Sequence, residues 1–274
     1  MGKQVLKGDR ISYGFTVVPI ATFIMLGVSF IIQNPLFAIT DNILQRETQP
    51  GINASKVFET HSMTLGNNIK NLVILIPNEA HESTNQPKNQ YPLANQPYLP
   101  QNAVINVGTT VSWFNGDVDH DHTITVSGDS TNAPVFESGD FEYGTASKPI
   151  TFNDTGSFNY FETDVNSDDP SFIMNGTITV VNQPESLTSS STSGSSSIDT
   201  VGILMVPTQD IQTHTSDLQN SGFAIDSTHN FKDLRGGQSG TGDEQTLIVW
   251  TTSDTTLSNI IANLQEFSLD LPYS

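Results

Sequence analysis

The chain has no cysteine among its 274 residues, and that one absence excludes a great deal. Disulfide frameworks, thiol catalysis, iron–sulfur clusters, zinc fingers and every copper site built on a thiolate need sulfur that is not there. Basic side chains are also scarce, with 10 Lys and Arg against 29 Asp and Glu and a net charge of −19. Nucleic-acid binding depends on cationic side chains that displace phosphate counterions, so nucleic acid is not an expected partner. Charged residues make up only 14% of the chain and hydrophobic ones 35%. The apolar residues are clustered, however, so disorder throughout is excluded, and the length suits one to two domains.

The one long apolar run is Ile11 to Ile32, which contains no charged residue. As a helix rising ~1.5 Å per residue it covers roughly 30 Å, the thickness of a bilayer's hydrocarbon core. Pro19 is tolerated in a spanning helix, where neighbouring groups satisfy the freed carbonyl. Lys3, Lys7 and Arg10 precede the run and an acidic chain follows it, so the positive-inside rule puts residues 1–10 in the cytoplasm, a single span at 11–33, and the bulk of the chain outside the cell membrane. The alternative is a cleaved signal peptide with Ala38 at its cleavage site. Against it stand Leu36, where a small residue is preferred, and the length of the run. Three sequons, at Asn53-Ala-Ser55, Asn153-Asp-Thr155 and Asn175-Gly-Thr177, permit glycosylation outside.

Residues 34–66 show no sustained period and read as a stalk. From Leu72 the texture changes. Leu72-Val-Ile-Leu-Ile-Pro77 predicts a strand covered on both faces. A Pro-, Asn- and Gln-rich loop follows over Asn78 to Gln101, and then short β-branched or aromatic segments at Val104 to Phe114, His122 to Val126, Ile150 to Phe152, Ser157 to Glu162 and Thr177 to Val181. Strands of this length and spacing predict an all-β sandwich or barrel over 67–182. The Ser/Thr-rich stretch 183–199 has almost nothing to bury and reads as a linker. Beyond it, a strand at Val201 to Val206, a weak helix at Gln209 to Asn220, a strand at Gln245 to Thr251, and an apolar helical face of Leu257, Ile260, Ile261, Leu264 and Phe267 predict a small α+β domain over 200–274. The Gly236 to Gly242 loop is followed by Asp243 and Glu244, where a phosphate loop needs Lys and Ser or Thr, so it reads as a hairpin loop. His214 and His229 are expected to be ordinary surface or strand histidines.

The informative stretch runs from Val107 to Val126, with Val111-Ser-Trp113-Phe-Asn115-Gly-Asp117 followed by His120-Asp-His122-Thr. Together with Phe136-Glu-Ser-Gly139, Gly156-Ser-Phe158-Asn-Tyr160 and Met174-Asn-Gly176-Thr-Ile-Thr-Val180, it resembles the cupredoxins, the plastocyanin- and azurin-like copper proteins. The resemblance covers about Leu72 to Val181 and implies a mainly β, Greek-key sandwich with a metal site at one end. It also implies that His122 takes the first histidine position and Met174 the axial methionine position. Glu162 stands where the family has its cysteine, and the second histidine is missing, because Thr163 to Ile173 contains none. Without the thiolate no blue-copper centre can form.

Alternate residues of a strand share a face. If the family fold holds, His122, Glu162 and Met174 converge at one end of the core with His120 within reach. Two imidazoles and a carboxylate suit Cu(II), Zn(II) or a similar divalent ion, with affinity falling as pH drops through the ordinary histidine range. Asp117, Asp119, Asp121, Asp164, Asp168 and Asp169 offer further carboxylates. The competing reading is a degenerate site, with Glu162 solvated at a loop edge and His120 to His122 a hydrophilic turn. His61 and His81 are weaker candidates. No catalytic constellation appears, so no enzyme is expected. Two functions therefore stay open. One is a membrane-anchored extracytoplasmic protein handling copper at a site that is not type 1. The other is a metal-free envelope protein that uses the sandwich as a scaffold for a protein partner.

Overall fold

The structure, a computed structural model, describes residues 61–78, 80, 96–118, 120–128, 133–162, 174–182, 198–233, 243–254 and 256–269. These residues belong to one unit, Gln45–Ser274. The expected membrane span at 11–33 and most of the expected stalk lie outside the described residues. Among the described residues no helix is long and apolar enough to cross a membrane.

Among the described residues, twelve strands and two α-helices follow one another. The strands are β1 (Ser62–Thr64), β2 (Asn71–Ile76), β3 (Asn102–Asn106), β4 (Thr110–Asn115), β5 (Ile124–Gly128), β6 (Pro134–Glu137), β7 (Ile150–Thr151), β8 (Gly156–Glu162), β9 (Asn175–Val181) and β10 (Thr200–Pro207). A 3-10 turn at Thr208–Asp210 then leads into helix α1 (Ile211–Asn220), the strands β11 (Ala224–Asp233) and β12 (Asp243–Thr252), and helix α2 (Leu257–Leu269). The first sheet runs β1-β3-β9-β8-β5-β6 and the second β11-β12-β10-β2-β4-β7. Both are mixed, since β1–β3, β3–β9, β2–β4 and β2–β10 pair in parallel while the other neighbours are antiparallel.

Alternation explains the layers. Along β9, Gly176, Ile178 and Val180 are buried while Thr177 and Thr179 are partly exposed, and β3 buries Ala103 and Ile105 in the same rhythm. Trp113 of the second sheet packs on Tyr160 of the first at 5.1 Å between ring centroids and on Phe136 at 6.3 Å, so the two sheets face each other through one core. Each fully buried Leu, Ile or Val there contributes about 1.5–3 kcal/mol. Two cross-strand pairs place a large ring over a glycine. Tyr160 lies across Gly176, where a Cβ would stand 2.2 Å from the ring, and Trp250 lies across Gly202 at the same 2.2 Å. Only glycine leaves room for these rings.

β2 is buried at every position, as a strand covered on both faces should be. The expected single segment Val104 to Phe114 is two strands broken by a turn at Gly108, whose φ of 87 suits glycine. The end of the expected stalk supplies β1, which pairs with β3. The sequence's division at the Ser/Thr-rich stretch does not divide the second sheet. Thr200 to Gly202 pair in parallel with Asn71 to Val73, and Asn71 donates its side-chain amide to Thr200 Oγ1 at 2.9 Å. The β11–β12 hairpin and α1 and α2 therefore build outward from the sandwich, with Leu218, Ile260 and Leu264 buried. His214, expected at the surface or in a strand, sits on α1 and is buried, and burial lowers its pKa against the opposing charges of Asp210 and Asp217. His229 is a strand residue of β11. The glycine-rich loop falls between β11 and β12, outside the described residues.

Candidate metal centre

Asn115 closes β4 and organises the turn that follows. Its Oδ1 accepts from the Asp117 N–H at 2.8 Å, and its Nδ2 donates to the carbonyls of His120 at 2.8 Å and Phe141 at 3.2 Å. This side chain mimics a backbone turn and ties both ends of the loop to one anchor. It turns Asp117 inward, to 0% exposure. His122 then forms a two-way backbone bridge with Phe141, at 3.2 and 3.1 Å, just before β5 begins. Opposite β5 runs β8, whose register pairs Ile124 with Glu162 and so brings Glu162 to His122 from 40 residues away.

The result is an imidazole held between two carboxylates. His122 Nδ1 lies 2.7 Å from Glu162 Oε2, and its Nε2 lies 3.3 Å from Asp117 Oδ2. Glu162's other oxygen accepts the Thr123 N–H at 2.8 Å. His120 Nδ1 is 3.6 Å from Asp117 Oδ1, and its ring is 40% exposed whereas His122 is 3% exposed. Burial works against a charged His122, but the hydrogen bonds and negative charges of Asp117 and Glu162 outweigh it and raise its pKa to about 9. At neutral pH it is therefore an imidazolium that donates from both ring nitrogens.

The expected residues meet this geometry unequally. His122 and Glu162 come together, as strand alternation predicts. His120 lies in the loop and not on the strand, and it reaches the cluster only through Asp117. Met174 is buried and gives its carbonyl to the Glu162 N–H at 3.2 Å. Glu162 is 8% exposed and doubly bonded, which removes the expectation of a solvated loop-edge carboxylate. Asp121 is exposed, while Asp119, Asp164, Asp168, Asp169 and His81 lie outside the described residues. Of the two described carboxylates among the six of the sequence reading, Asp117 is the one that meets the imidazoles. The Asn115-x-Asp117 spacing is the signal that could have singled it out.

Tyr98 escaped the sequence reading altogether. Its ring meets Tyr160 edge-on at 4.8 Å, and burial, with the charges of Glu162 and Tyr160, holds its hydroxyl well above the usual tyrosine range. Tyr160 itself donates to the Gln101 carbonyl at 2.9 Å.

The donors fit a divalent first-row ion in kind, since imidazole and carboxylate suit Cu(II) or Zn(II), and with no thiolate they do not fit type 1 copper. In spacing they form an ion-paired cluster. Among the described residues no three His, Asp or Glu side chains stand as a ready cage. The residues that would hold a divalent ion here are His122, through Nε2 once its proton is lost, and Asp117.

No family model matches the chain, and no curated protein matches it. Solved structures do. A purple cupredoxin from Nitrosopumilus maritimus is 28% identical over 40% of this chain and 99% of its own length, with a TM-score of 0.31. Reduced rusticyanin is 13% identical over 53% of this chain and 96% of its own, with a TM-score of 0.31. A copper-containing nitrite reductase from Thermus scotoductus is 17% identical with a TM-score of 0.33, and the match takes in 46% of this chain but only 29% of the reductase.

Proposed function

We propose that this chain is a membrane-anchored, extracytoplasmic, non-catalytic protein of cupredoxin-like fold that handles copper or a similar divalent ion without being a blue-copper electron carrier. One observation carries the reading. The buried Asp117 carboxylate faces two imidazoles, at 3.3 and 3.6 Å, while Glu162 holds the far nitrogen of His122 at 2.7 Å. A carboxylate on the far nitrogen is what orients a ligating histidine and makes it more basic. In this arrangement His122 Nε2, Asp117 and His120 are the ligands and Glu162 is the orienting partner. A net charge of −19 further favours a cation.

The test is calorimetric titration of Cu(II) and Zn(II) into the full chain at pH 6, 7 and 8, with glycine as a soluble competing chelator. One proton leaves a group of pKa about 9, so affinity should rise about tenfold per pH unit across this range. His122→Ala and Asp117→Asn should abolish the site, and Met174→Leu and His214→Ala should leave it intact. The anchor is tested separately by carbonate extraction of native membranes. Recovery as a soluble form starting near Ile39 would support the signal peptide instead.

A second reading is favoured by the same cluster, because both His122 nitrogens are already matched by carboxylates. In that reading the triad only ties the loop end of the sandwich together, and the protein is an envelope scaffold for a protein partner. Absence of a stoichiometric site at all three pH values would select it.

A further inference from the structure

Asn175 opens β9 and also opens the sequon Asn175-Gly176-Thr177. Many other asparagines of the sandwich use their amide nitrogen to hold the fold. Asn68, Asn71, Asn106 and Asn115 donate to Ile198 O, Thr200 Oγ1, Gly66 O and His120 O respectively. Asn175 does not. Its side chain is exposed, and the contact that fixes it in place is made by its carbonyl, which accepts from Gln101 Nε2 at 2.8 Å. A substituent on its Nδ2 would therefore disturb no hydrogen bond of the strand.

The surroundings of that nitrogen are more specific than exposure. The register pairs Asn175 with Phe161 across β8–β9, so the half-exposed Phe161 ring is its cross-strand neighbour. Beside the pair is a groove of about 300 Å³ lined by Gln101, Asn102, Asn159, Phe161, Asn175 and Thr177. Among the described residues of the lining the one charged group is Glu162, and its two oxygens are already engaged by His122 and Thr123. Apart from the ion-paired Glu162, the described lining is uncharged, with amide donors and acceptors around the Phe161 ring. Such a patch matches a neutral sugar, whose hydroxyls both donate and accept and whose C–H face packs on an aromatic ring.

We propose that Asn175 carries an N-linked glycan whose first sugars lie in this groove against Phe161, an inference that rests on the extracytoplasmic placement proposed above. The donor class is a lipid-linked oligosaccharide. The Asn175 Nδ2–C1 bond forms as the C1–O bond to the lipid phosphate breaks, and the displaced amide proton leaves with the phosphate. Asn153, the other described sequon asparagine, is exposed in the loop after β7 and has no ring paired across from it. Its sugar would stand free in solvent, which makes it an internal comparison.

The experiment is peptide mass mapping of the full chain purified from native membranes, together with surface biotinylation of intact cells. The Asn175 peptide should carry hexose and N-acetylhexosamine mass. A bare Asn175 peptide from surface-labelled protein overturns this inference and leaves the placement standing, whereas protein protected from biotin overturns both. Phe161→Leu should lower the thermal midpoint of the chain from a glycosylating host by about 2 °C more than that of the unglycosylated chain. Equal shifts in the two forms would refute the contact with the ring.

Discussion

Raising the pH through the weakly alkaline range should unfold this domain's balance at one residue, His122. Its pKa in the folded protein is about 9, against an ordinary 6.5. A group whose pKa is raised by folding contributes stability that is fully present below its unfolded pKa and is lost as pH climbs through the folded value. The contribution should therefore be complete at pH 6, decline between 6.5 and 9, and be gone by about 9.5. At about 1.4 kcal/mol per pH unit, that interval amounts to about 3 kcal/mol. His122 is 3% exposed and Glu162 4% exposed at its side chain, so solvent screening removes little of it. A loss of this size is a large fraction of the 5–15 kcal/mol typical of a domain. The assay is urea denaturation in chelator-treated buffer at half-unit steps from pH 6 to 9.5. The series stops there because the buried hydroxyls of Tyr98 and Tyr160, also raised by burial, begin to matter above that. His122→Gln keeps one donor but cannot titrate, and its profile should not fall across the window, showing only the small rise below about pH 7 that the lowered pKa values of His214 and His229 bring. Wild-type stability that is constant or rising from pH 6.5 to 9, or a His122→Gln profile parallel to wild type, would refute the reasoning.

Gly176→Ala and Gly202→Ala should each destabilise by about 1–3 kcal/mol or more, because the added methyl enters the Tyr160 and Trp250 rings; thermal melts should show it, while Gly139→Ala, with nothing near its Cβ, should suffer only its backbone strain. A chain ending at Asn182 loses β10 and leaves the Asn71–Val73 edge of β2 unpaired. It should aggregate where the full chain does not, as size-exclusion chromatography would reveal. Saturating Cu(II) should give no intense visible absorption, since no sulfur anion is present to donate charge. A strong blue or purple colour would mean that the ligand set has been misread.

Much of the fold was legible because strand alternation is a local signal. β8, β9 and β12 follow from their own residues, and the meeting of His122 with Glu162 follows once the segment leading into β5 and the end of β8 face one core. β6 and β11 were not legible. Pro134–Glu137 is mostly exposed and β11 is a polar strand at the edge of its sheet, so neither shows the apolar rhythm that marks a half-buried strand. The β2–β10 pairing was hidden for a different reason. Parallel pairing between distant segments leaves no mark on either one, and a Ser/Thr-rich composition between them reads the same whether the chain is crossing to a new domain or returning to an old sheet. The charge state of His122 was illegible because it depends on two carboxylates arriving from opposite sides. Sequence alone supplies six acidic candidates and no means of ranking them except the Asn115 turn.

That same β2–β10 pairing sets a clock on synthesis. The side chains of Asn71 and Thr200 meet across 129 residues. At the usual ~5–20 residues per second, β2 waits roughly 6–26 s after it is made before its partner exists. During that wait the Asn71–Val73 part of β2, buried at every position in the finished fold, has an open edge. A ribosome pausing over residues 183–199 would lengthen the exposure, and a shortened Ser/Thr-rich stretch would trim it. The length of that stretch is thus a kinetic variable of the nascent chain.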